Sequence, residues 1–336
     1  MEKYNNRTDL PVLLIYNSDP AWSQEDYQDA LQETDCLIDA LRQLGHPVLP
    51  VCIQNGELES AISGYNPDEY VVFNWCEELP GVPHSEYQAA LILDRMGFTY
   101  TGADSQALIL SQDKIRIKTL LQKANISTPA WRVYTNTEVD HWESFPAIVK
   151  PAFEHCGVGI SRDSVCQSMA ELTQRINYVI TQLGEPAIVE DFIDGREFHI
   201  GVIGNEPPRM LPPAEIDYSQ FEDIHDRLCT YEANFDKTSQ AYQLTMPKLP
   251  VDLSRDELSR LEEIVIAAYQ ITACRDYARM DVRLRNGVFY LLDVNHNADF
   301  SSENSLVQAA GLVGLSYGQL GSYMITLAAE RHPILR

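Results

Sequence analysis

The stretch from Ala278 to Asn295 constrains the fold of this chain more than any other part of its sequence. Two short runs of alternating apolar and polar residues flank the dipeptide Asn286-Gly287. Alternation with a period of two is typical of β-strands with one buried face, and Asn-Gly is a strong signal for a hairpin turn. The segment therefore predicts two antiparallel strands joined by a tight turn.

The polar side chains of this hairpin are an arginine, two carboxylates and a carboxamide: Arg279, Asp281, Asp293 and Asn295. A two-residue turn places Asp281 opposite Leu292 and separates the carboxylates onto opposite faces. A three-residue loop, Arg285 to Gly287, places Asp281 opposite Leu291 and brings them together, so we expect a loop of odd length. Carboxylate and amide oxygens beside an arginine suit Mg²⁺ on a polyphosphate. An amphipathic hairpin with one solvated face is the alternative interpretation.

Four further segments have residue types that suit nucleotide binding, and in chain order they are Ser111–Arg116, Phe145–Lys150, Glu154–Ser161 and Pro186–Glu197. The third contains glycines, which let backbone N–H groups curve around a phosphate, although a hairpin tip has the same composition. The net charge of −24 argues against nucleic acid and anionic membrane surfaces as partners. An anionic nucleotide would therefore need local positive charge, for which the candidates are Lys114, Lys150 and Arg279.

In this order and spacing, the segments resemble the ATP-grasp superfamily and, within it, the D-alanine–D-alanine ligase family, from about residue 71 to 329. The resemblance implies an α/β ATP-grasp fold of three domains. We expect a parallel-sheet N-terminal domain at 1–108, where strands and helices alternate, a small α+β lid at 109–190, and a C-terminal α+β domain at 191–336. A long loop at 205–250, rich in proline and polar residues, would close over the site.

The resemblance also implies roles for individual residues. The phosphates of ATP would be contacted by Lys114, Lys150, His155, Cys156 and Gly157, and adenine would be held by Glu190, Asp191, Phe192 and Ile193. Glu197 would accept hydrogen bonds from the ribose hydroxyls, unless it forms a structural salt bridge with Arg196 or another base. Two Mg²⁺ ions, or Mn²⁺, would be bound by Asp281, Asp293 and Asn295. The reacting groups would be contacted by Arg279 and Ser305.

The sequence departs from the family pattern at the amino-acid end of the site. The stretch Tyr16–Trp22 has no counterpart of the family's glycine pair and Ser-x-Glu segment, and Cys156 stands where the family has serine. In the mobile loop, lysine and tyrosine are replaced by Asn234 and Phe235, so Lys237 is the candidate replacement for the loop lysine. After Asn295 the loop is one residue longer and carries additional acids, Asp299 and Glu303.

These features predict an ATP-dependent, ADP-forming ligase that joins an amino-acid amine to a phosphate-activated carboxylate or carbonyl-type oxygen. The rebuilt acceptor end favours a specialised biosynthetic ligase, such as the mycosporine-like amino acid ligases. The alternatives are a divergent D-alanine–D-alanine ligase and a non-catalytic ATP-binding regulator. Seven scattered cysteines without a Cys-x-x-Cys pair, and no export signal or membrane span, predict a cytoplasmic protein. The family resemblance implies a homodimer.

Overall fold

The first sheet of the computed structural model has four parallel strands in the order β2-β1-β3-β4. The model describes residues 6–155, 157–230 and 239–336. The strands are β1 (Val12–Asn17), β2 (Val48–Ile53), β3 (Val71–Trp75) and β4 (Thr99–Tyr100). They alternate with helices α1 (Gln24–Leu44), α2 (Leu58–Ile62), α3 (Glu86–Met96) and α4 (Ser105–Ser111). The predicted parallel sheet is confirmed.

Glycines end the two long helices of this layer, as the sequence predicts. Gly45 after α1 and Gly97 after α3 adopt the left-handed conformation, with φ of 108° and 79°. Glycine reaches this conformation without a Cβ penalty, so each helix stops and the chain turns back toward the sheet. Apolar residues of the strands then pack on both helical layers.

The second sheet is antiparallel, in the order β5-β8-β6-β7, and lies between the other two in the chain. Its strands are β5 (Trp131–Tyr134), β6 (Ala147–Pro151), β7 (Val165–Cys166) and β8 (Ala187–Asp191). Helix α5 (Lys114–Lys123) precedes it, and helix α6 (Met169–Tyr178) packs against it. After the glycine loop, Ile160-Ser161 suggests the start of a returning strand, but a short 3₁₀ turn at Arg162–Ser164 intervenes and the strand begins at Val165.

The third sheet carries the predicted hairpin. Its order is β10-β9-β12-β13, and β11 also pairs with β9. The strands are β9 (Arg196–Ile203), β10 (Arg209–Met210), β11 (Ala214–Ile216), β12 (Tyr277–Arg285) and β13 (Val288–Asn295). The remaining helices are α7 (Gln240–Leu244), α8 (Arg255–Ile271), α9 (Ser305–Leu312) and α10 (Tyr317–Ala329). The segment 205–250 is thus not one long loop, because β10 and β11 extend the sheet.

Helices α8 and α10 pack in two different parts of the molecule. Ser254 and Glu257 have the sequence spacing that predicts a capping box, and helix α8 begins with it. The helix buries Leu261, Val265 and Ala268 against the sheet. Helix α10 instead packs on α1 of the first sheet, where His46 Nε2 lies 2.8 Å from Ser322 Oγ. The ends of the chain therefore share one apolar core. None of the helices in the described ranges is long and apolar enough to cross a bilayer.

Candidate active site

The turn of the hairpin has two residues, so the expected odd-length loop is wrong. Arg285 pairs with Val288, and the intervening Asn286 and Gly287 have φ of 53° and 77°. Two positive φ values in a two-residue loop are typical of a type I′ turn, which matches the twist of the flanking strands. Asn and Gly are the residues that adopt this conformation most readily. The preference of Asn286-Gly287 for a type I′ turn therefore determines the length of the loop.

A β-bulge in the second strand brings the two carboxylates to one face. Val282 pairs with Leu291, but Asp281 pairs with Asp293, so Leu292 is an extra residue in β13. One extra residue reverses the alternation of side chains beyond it. Asp293 consequently lies directly opposite Asp281. The sequence correctly placed both acids on one face, but the odd residue lies in the strand and not in the turn.

Asp281 is the centre of a network of polar side chains. Its carboxylate accepts two hydrogen bonds from Arg279, at 2.8 and 3.1 Å, and one from Asn295 Nδ2 at 3.0 Å. Burial alone would raise the pKa of Asp281, but Arg279 and His199 more than offset it and lower the pKa. The sequence analysis missed His199, whose Nε2 lies 3.8 Å from Asp281 and 3.5 Å from Glu197. Its position opposite Asp281 on β9 depends on strand register.

The second carboxylate, Asp293, faces the elements that precede the hairpin in the chain. Lys114 and His155 are its principal electrostatic neighbours, and together they hold the pKa of Asp293 below its ordinary value despite burial. Burial, reinforced by Lys114, lowers the pKa of His155 to about 4, so the imidazole is neutral at pH 7. His155 Nε2 is buried without a hydrogen-bond partner among the described residues. The glycine loop and the predicted metal ligands thus converge.

Two lysines clamp Glu190, whose side chain is only 1% exposed. Lys150 Nζ lies 3.3 Å from one carboxylate oxygen, and Lys118 Nζ lies 3.1 Å from the other. Burial alone would raise the pKa of Glu190, but the two lysines lower it. Lys118 was missed, although its spacing of four from Lys114 on one helix puts both on the same face. Glu190 therefore positions lysines, in addition to its place in the predicted adenine segment.

The glycine loop lies against the second sheet. Gly157 and Gly159 have φ of 77° and 70°, and a Cβ on Gly159 would come within 2.7 Å of Pro151. The adjoining side chain of Lys114 donates to the backbone carbonyl of Glu154. The positive φ of Gly159 and the close approach of Pro151 together require glycine at this position. The predicted contacts of Cys156 and of Lys237 lie outside the described residues, as does Glu232–Phe235.

The predicted adenine segment already has many internal partners. Asp191 forms an ion pair with Arg285 at 2.5 Å. The N–H of Phe192 donates to the carbonyl of Pro146 at 2.9 Å. The carbonyl of Ile193 accepts from Arg283 at 3.0 Å. These bonds fix the path of the segment, and its role in holding adenine stays a prediction.

Glu197 forms the salt bridge that we considered as the alternative to ribose binding, but its partner is Arg283. Arg283 Nε lies 2.6 Å from Glu197 Oε2, and both side chains are almost fully buried. Burial would raise the pKa of Glu197, yet Arg283 and His199 lower it to about 2. Arg196 pairs with Glu215 instead, at 2.7 Å.

Ser305 is the first residue of α9 and is 4% exposed. Its hydroxyl lies 3.5 Å from the side-chain oxygen of Asn304, which caps the helix. Asn304 Oδ1 accepts from the backbone N–H of Leu306 at 3.1 Å, which satisfies one of the donors at the helix start. A direct role of Ser305 in the reaction stays a prediction.

Comparisons with known proteins identify the family. The family model described as D-ala D-ala ligase C-terminus matches residues 119–326. Uncharacterized protein y4sG of Sinorhizobium fredii is 29% identical over 306 residues, covering 89% of this chain and 88% of that protein. A D-alanine--D-alanine ligase of Aquifex aeolicus is 28% identical over 295 residues, covering 85% and 91%.

Solved structures show the same fold. The D-alanine--D-alanine ligase from Bacillus anthracis complexed with ATP superposes with a TM-score of 0.73 at 18% identity, covering 96% of this chain and 98% of that one. The ligase from Coxiella burnetii gives 0.71 at 17% identity, covering 97% and 95%. The chain therefore has the α/β ATP-grasp fold, and it belongs to the D-alanine–D-alanine ligase family of carboxylate–amine ligases.

Proposed function

We propose that this chain uses ATP and Mg²⁺ to phosphorylate an oxygen of a small molecule, and then joins that molecule to an amine with release of ADP and phosphate. The oxygen belongs to a carboxylate or to a carbonyl-type group, such as the enone of a cyclohexenone mycosporine. The observation that carries the proposal is the position of Asp281 directly opposite Asp293. Asn295 and Arg279 adjoin this pair, and Lys114 faces it.

The donor atoms of the hairpin fit Mg²⁺. Asp281, Asp293 and Asn295 offer hard oxygens, which Mg²⁺ and Mn²⁺ prefer. Among the described residues no group of three His, Cys, Asp or Glu could hold a metal alone. Mg²⁺ bound by one or two carboxylates usually takes its other ligands from phosphates and water. When bound, the two ions proposed here would neutralise charge on the β- and γ-phosphates.

The lysines near the hairpin support nucleotide binding. Lys114 and Lys150 lie beside the hairpin carboxylates, and the buried Glu190 restrains Lys150. In a chain of net charge −24, such fixed cations are what a triphosphate requires. The adenine is proposed to lie along 190–193, with Glu197 near the ribose. The ATP complex of the Bacillus anthracis ligase supports this proposal by analogy of fold.

The roles of this chain's own residues follow from their positions. The Arg279 guanidinium is held by Asp281, and from there it would stabilise negative charge on the transferred phosphoryl group and on the later tetrahedral carbon centre. Ser305, at the start of α9, would contact the acceptor. Water must be excluded because it hydrolyses an acyl phosphate. The segment 217–230, next to Arg283, is positioned to help close the site.

A second candidate function is D-alanine–D-alanine ligation, which the Aquifex aeolicus relative favours. Against it stand Asp299 and Glu303, the additional acids of the loop after β13, which would repel the carboxylate of a second simple amino acid. A non-catalytic ATP-binding role is disfavoured because nucleotide binding alone does not need Arg279, Asp281, Asp293 and Asn295 together. A homodimer and a cytoplasmic location are also part of the proposal. Seven scattered cysteines without a Cys-x-x-Cys pair agree with a reducing compartment.

A coupled assay of ADP release tests the proposal. Purified protein with ATP and Mg²⁺ is offered amines paired with carboxylates or enones, with D-alanine alone as a separate arm. We expect ADP only when both an amine and an activatable oxygen are present. Turnover with D-alanine alone would establish the second candidate. Tight ATP binding without ADP from any pair would contradict the proposed ligase activity.

A further inference from the structure

Arg283 is a buried arginine that lies on the same face of β12 as Arg279 and Asp281, because side chains alternate along a strand. Its side chain is only 4% exposed. The ion pair with Glu197 uses one of its three nitrogens, Nε, and leaves the two terminal nitrogens for other partners. Those partners indicate what this arginine does beyond neutralising a carboxylate.

The terminal nitrogens of Arg283 hold two separate segments of the chain. Nη1 donates to the carbonyl of Ile193, in the segment proposed to hold adenine, at 3.0 Å. Nη2 donates to the carbonyl of Arg227, in the segment 217–230, at 2.5 Å. A guanidinium carries its donors in a rigid planar fork, so this one side chain fixes Glu197 and both carbonyls in a single arrangement. A lysine cannot do the same, since its ammonium presents all its donors from one atom.

Two aromatic rings enclose the same guanidinium. Its central carbon lies 4.8 Å from the ring centroid of Phe192, in the adenine segment, and 5.3 Å from that of Tyr218, in the segment 217–230. Both rings belong to buried residues. Cations are attracted to the faces of aromatic rings, and the attraction is strongest where water is excluded. Each of the two segments therefore contributes both a carbonyl and a ring to Arg283.

The segment 217–230 also packs against the second sheet. Leu228 is buried in an apolar cluster with Ile148 and Phe192. Arg162, which follows the glycine loop, forms an ion pair with Asp223 at 2.6 Å. When docked, the segment therefore joins the second sheet to the third, and Arg283 is a buried link to the third.

We infer that Arg283 is a positioning residue that couples nucleotide binding to the docking of the segment 217–230. The inference rests on the proposed function and deepens it. A nucleotide that holds Glu197 by its ribose and 190–193 by its adenine fixes two of the three partners of the guanidinium, so the third, the Arg227 carbonyl, docks more firmly. Coupling of this kind is reciprocal, so a docked segment also strengthens nucleotide binding. The coupling requires the adenosine part of the ligand and not its triphosphate.

Amide hydrogen exchange of the full chain tests the inference with two ligands, each added with Mg²⁺ at a saturating concentration set by calorimetric titration. AMP-PNP carries adenine, ribose and a triphosphate group, whereas inorganic tripolyphosphate carries the phosphates alone. We expect AMP-PNP to slow exchange in 217–230 by at least about tenfold, and tripolyphosphate by less than about twofold. Equal protection by the two ligands would overturn the inference, because docking would then follow the phosphates. If tripolyphosphate does not bind, the variants below decide.

Arg283→Lys is the deciding variant, because it keeps the positive charge beside Glu197 and removes the fork. At saturating AMP-PNP we expect protection of the segment to fall below about threefold, and the Kd for AMP-PNP to rise about fivefold. Arg196→Lys is the matched control. Arg196 also pairs with a carboxylate, Glu215, at 2.7 Å and lies over an aromatic ring, but it projects from the face of β9 opposite to that of Glu197. This control should leave both values unchanged.

Wild-type protection in Arg283→Lys would overturn the inference. If that variant does not fold, Tyr218→Leu removes the ring that the segment places over the guanidinium and should lower the protection in the same way; full protection there would also overturn it. Binding of AMP-PNP to the wild type without protection of the segment defeats this inference alone, whereas no binding of AMP-PNP defeats the proposed function as well. If protection behaves as expected but no acid and amine pair releases ADP, the ligase activity fails and the coupling stands.

Discussion

The carboxylates at the two ends of the site along β12 differ in whether positively charged side chains surround them. At the hairpin end, Asp281 is paired with Arg279, and Asp293 has Lys114 as its neighbour. At the other end, a cleft between the end of β3 and the loop that follows β13, Glu77 and Glu86 have no basic partner in the described part of the chain. Acids with fixed cationic neighbours stay ionised and are preorganised for a metal. Burial raises the pKa of Glu77 to about 7 and that of Glu86 to about 8, so these acids keep their protons to higher pH than ordinary glutamates do. The comparison therefore favours the hairpin end for the proposed metal.

The largest effect is expected from Asp293→Asn, which tests the hairpin end. Removing this charge weakens metal-assisted phosphoryl transfer, and we expect ADP release to fall by about 100- to 1,000-fold. ATP affinity should change far less, because the lysine clamp remains. Steady-state kinetics and equilibrium ATP binding separate the two effects. Asp68→Asn, an exposed acid of the first domain, is the control. Near-normal ADP release by Asp293→Asn would contradict the assignment of Asp293 as a metal ligand.

Lys118→Met tests whether the buried clamp is a positioning device. The substitution leaves Glu190 with Lys150 as its remaining ion-pair partner among the described residues, and breaking a buried ion pair on one side destabilises proteins by about 3 kcal/mol. We expect a lower midpoint in urea and a Michaelis constant for ATP raised by about tenfold, with kcat reduced less. The double variant Lys118→Met, Glu190→Gln should recover at least half of the lost stability. No recovery would show that Lys118 acts through packing and not through Glu190.

A pH-dependent effect is expected at the cleft end. The raised pKa of Glu86 means that the folded state keeps its proton to higher pH than the unfolded chain does. This stabilising contribution is present at low pH and is lost as pH rises from about 4.5 toward about 8. Because the cleft is partly open to solvent, we expect Glu86→Gln to be more stable than the wild type by about 1–2 kcal/mol at pH 8.5.

At pH 5 the two proteins should differ by much less. Urea midpoints at both pH values provide the measurement, with Glu262→Gln as the control. An equal difference at pH 5 and 8.5 would show that Glu86 is not held in the protonated state by its surroundings.

The smallest effect is expected in the turn. Gly287 has φ of 77°, and a Cβ there meets nothing within 4 Å, so only backbone strain opposes alanine. We expect Gly287→Ala to lower stability by about 1 kcal/mol while ADP release stays normal. Asn286→Gly is the comparison, since glycine tolerates the same conformation. Loss of activity in Gly287→Ala without loss of stability would mean that the turn controls the register of the carboxylates.

The sequence predicted the elements of this fold well, because their signals are local. The parallel sheet, the glycine stops at 45 and 97, and the capping box at Ser254 were all confirmed. The bulge at Leu292 could not be predicted, because an extra residue in a strand leaves no mark on composition or spacing. His199 and Arg283 were missed for a related reason: their contacts depend on pairing between strands distant in sequence. The cleft is formed by segments more than 200 residues apart.

A crystal structure with a non-hydrolysable ATP analogue and Mn²⁺ tests the central claim most directly. The account predicts anomalous peaks for Mn²⁺ about 2.0–2.3 Å from oxygens of Asp281, Asp293 and Asn295. Manganese bound among the cleft acids, or the triphosphate bound away from the hairpin, would contradict it.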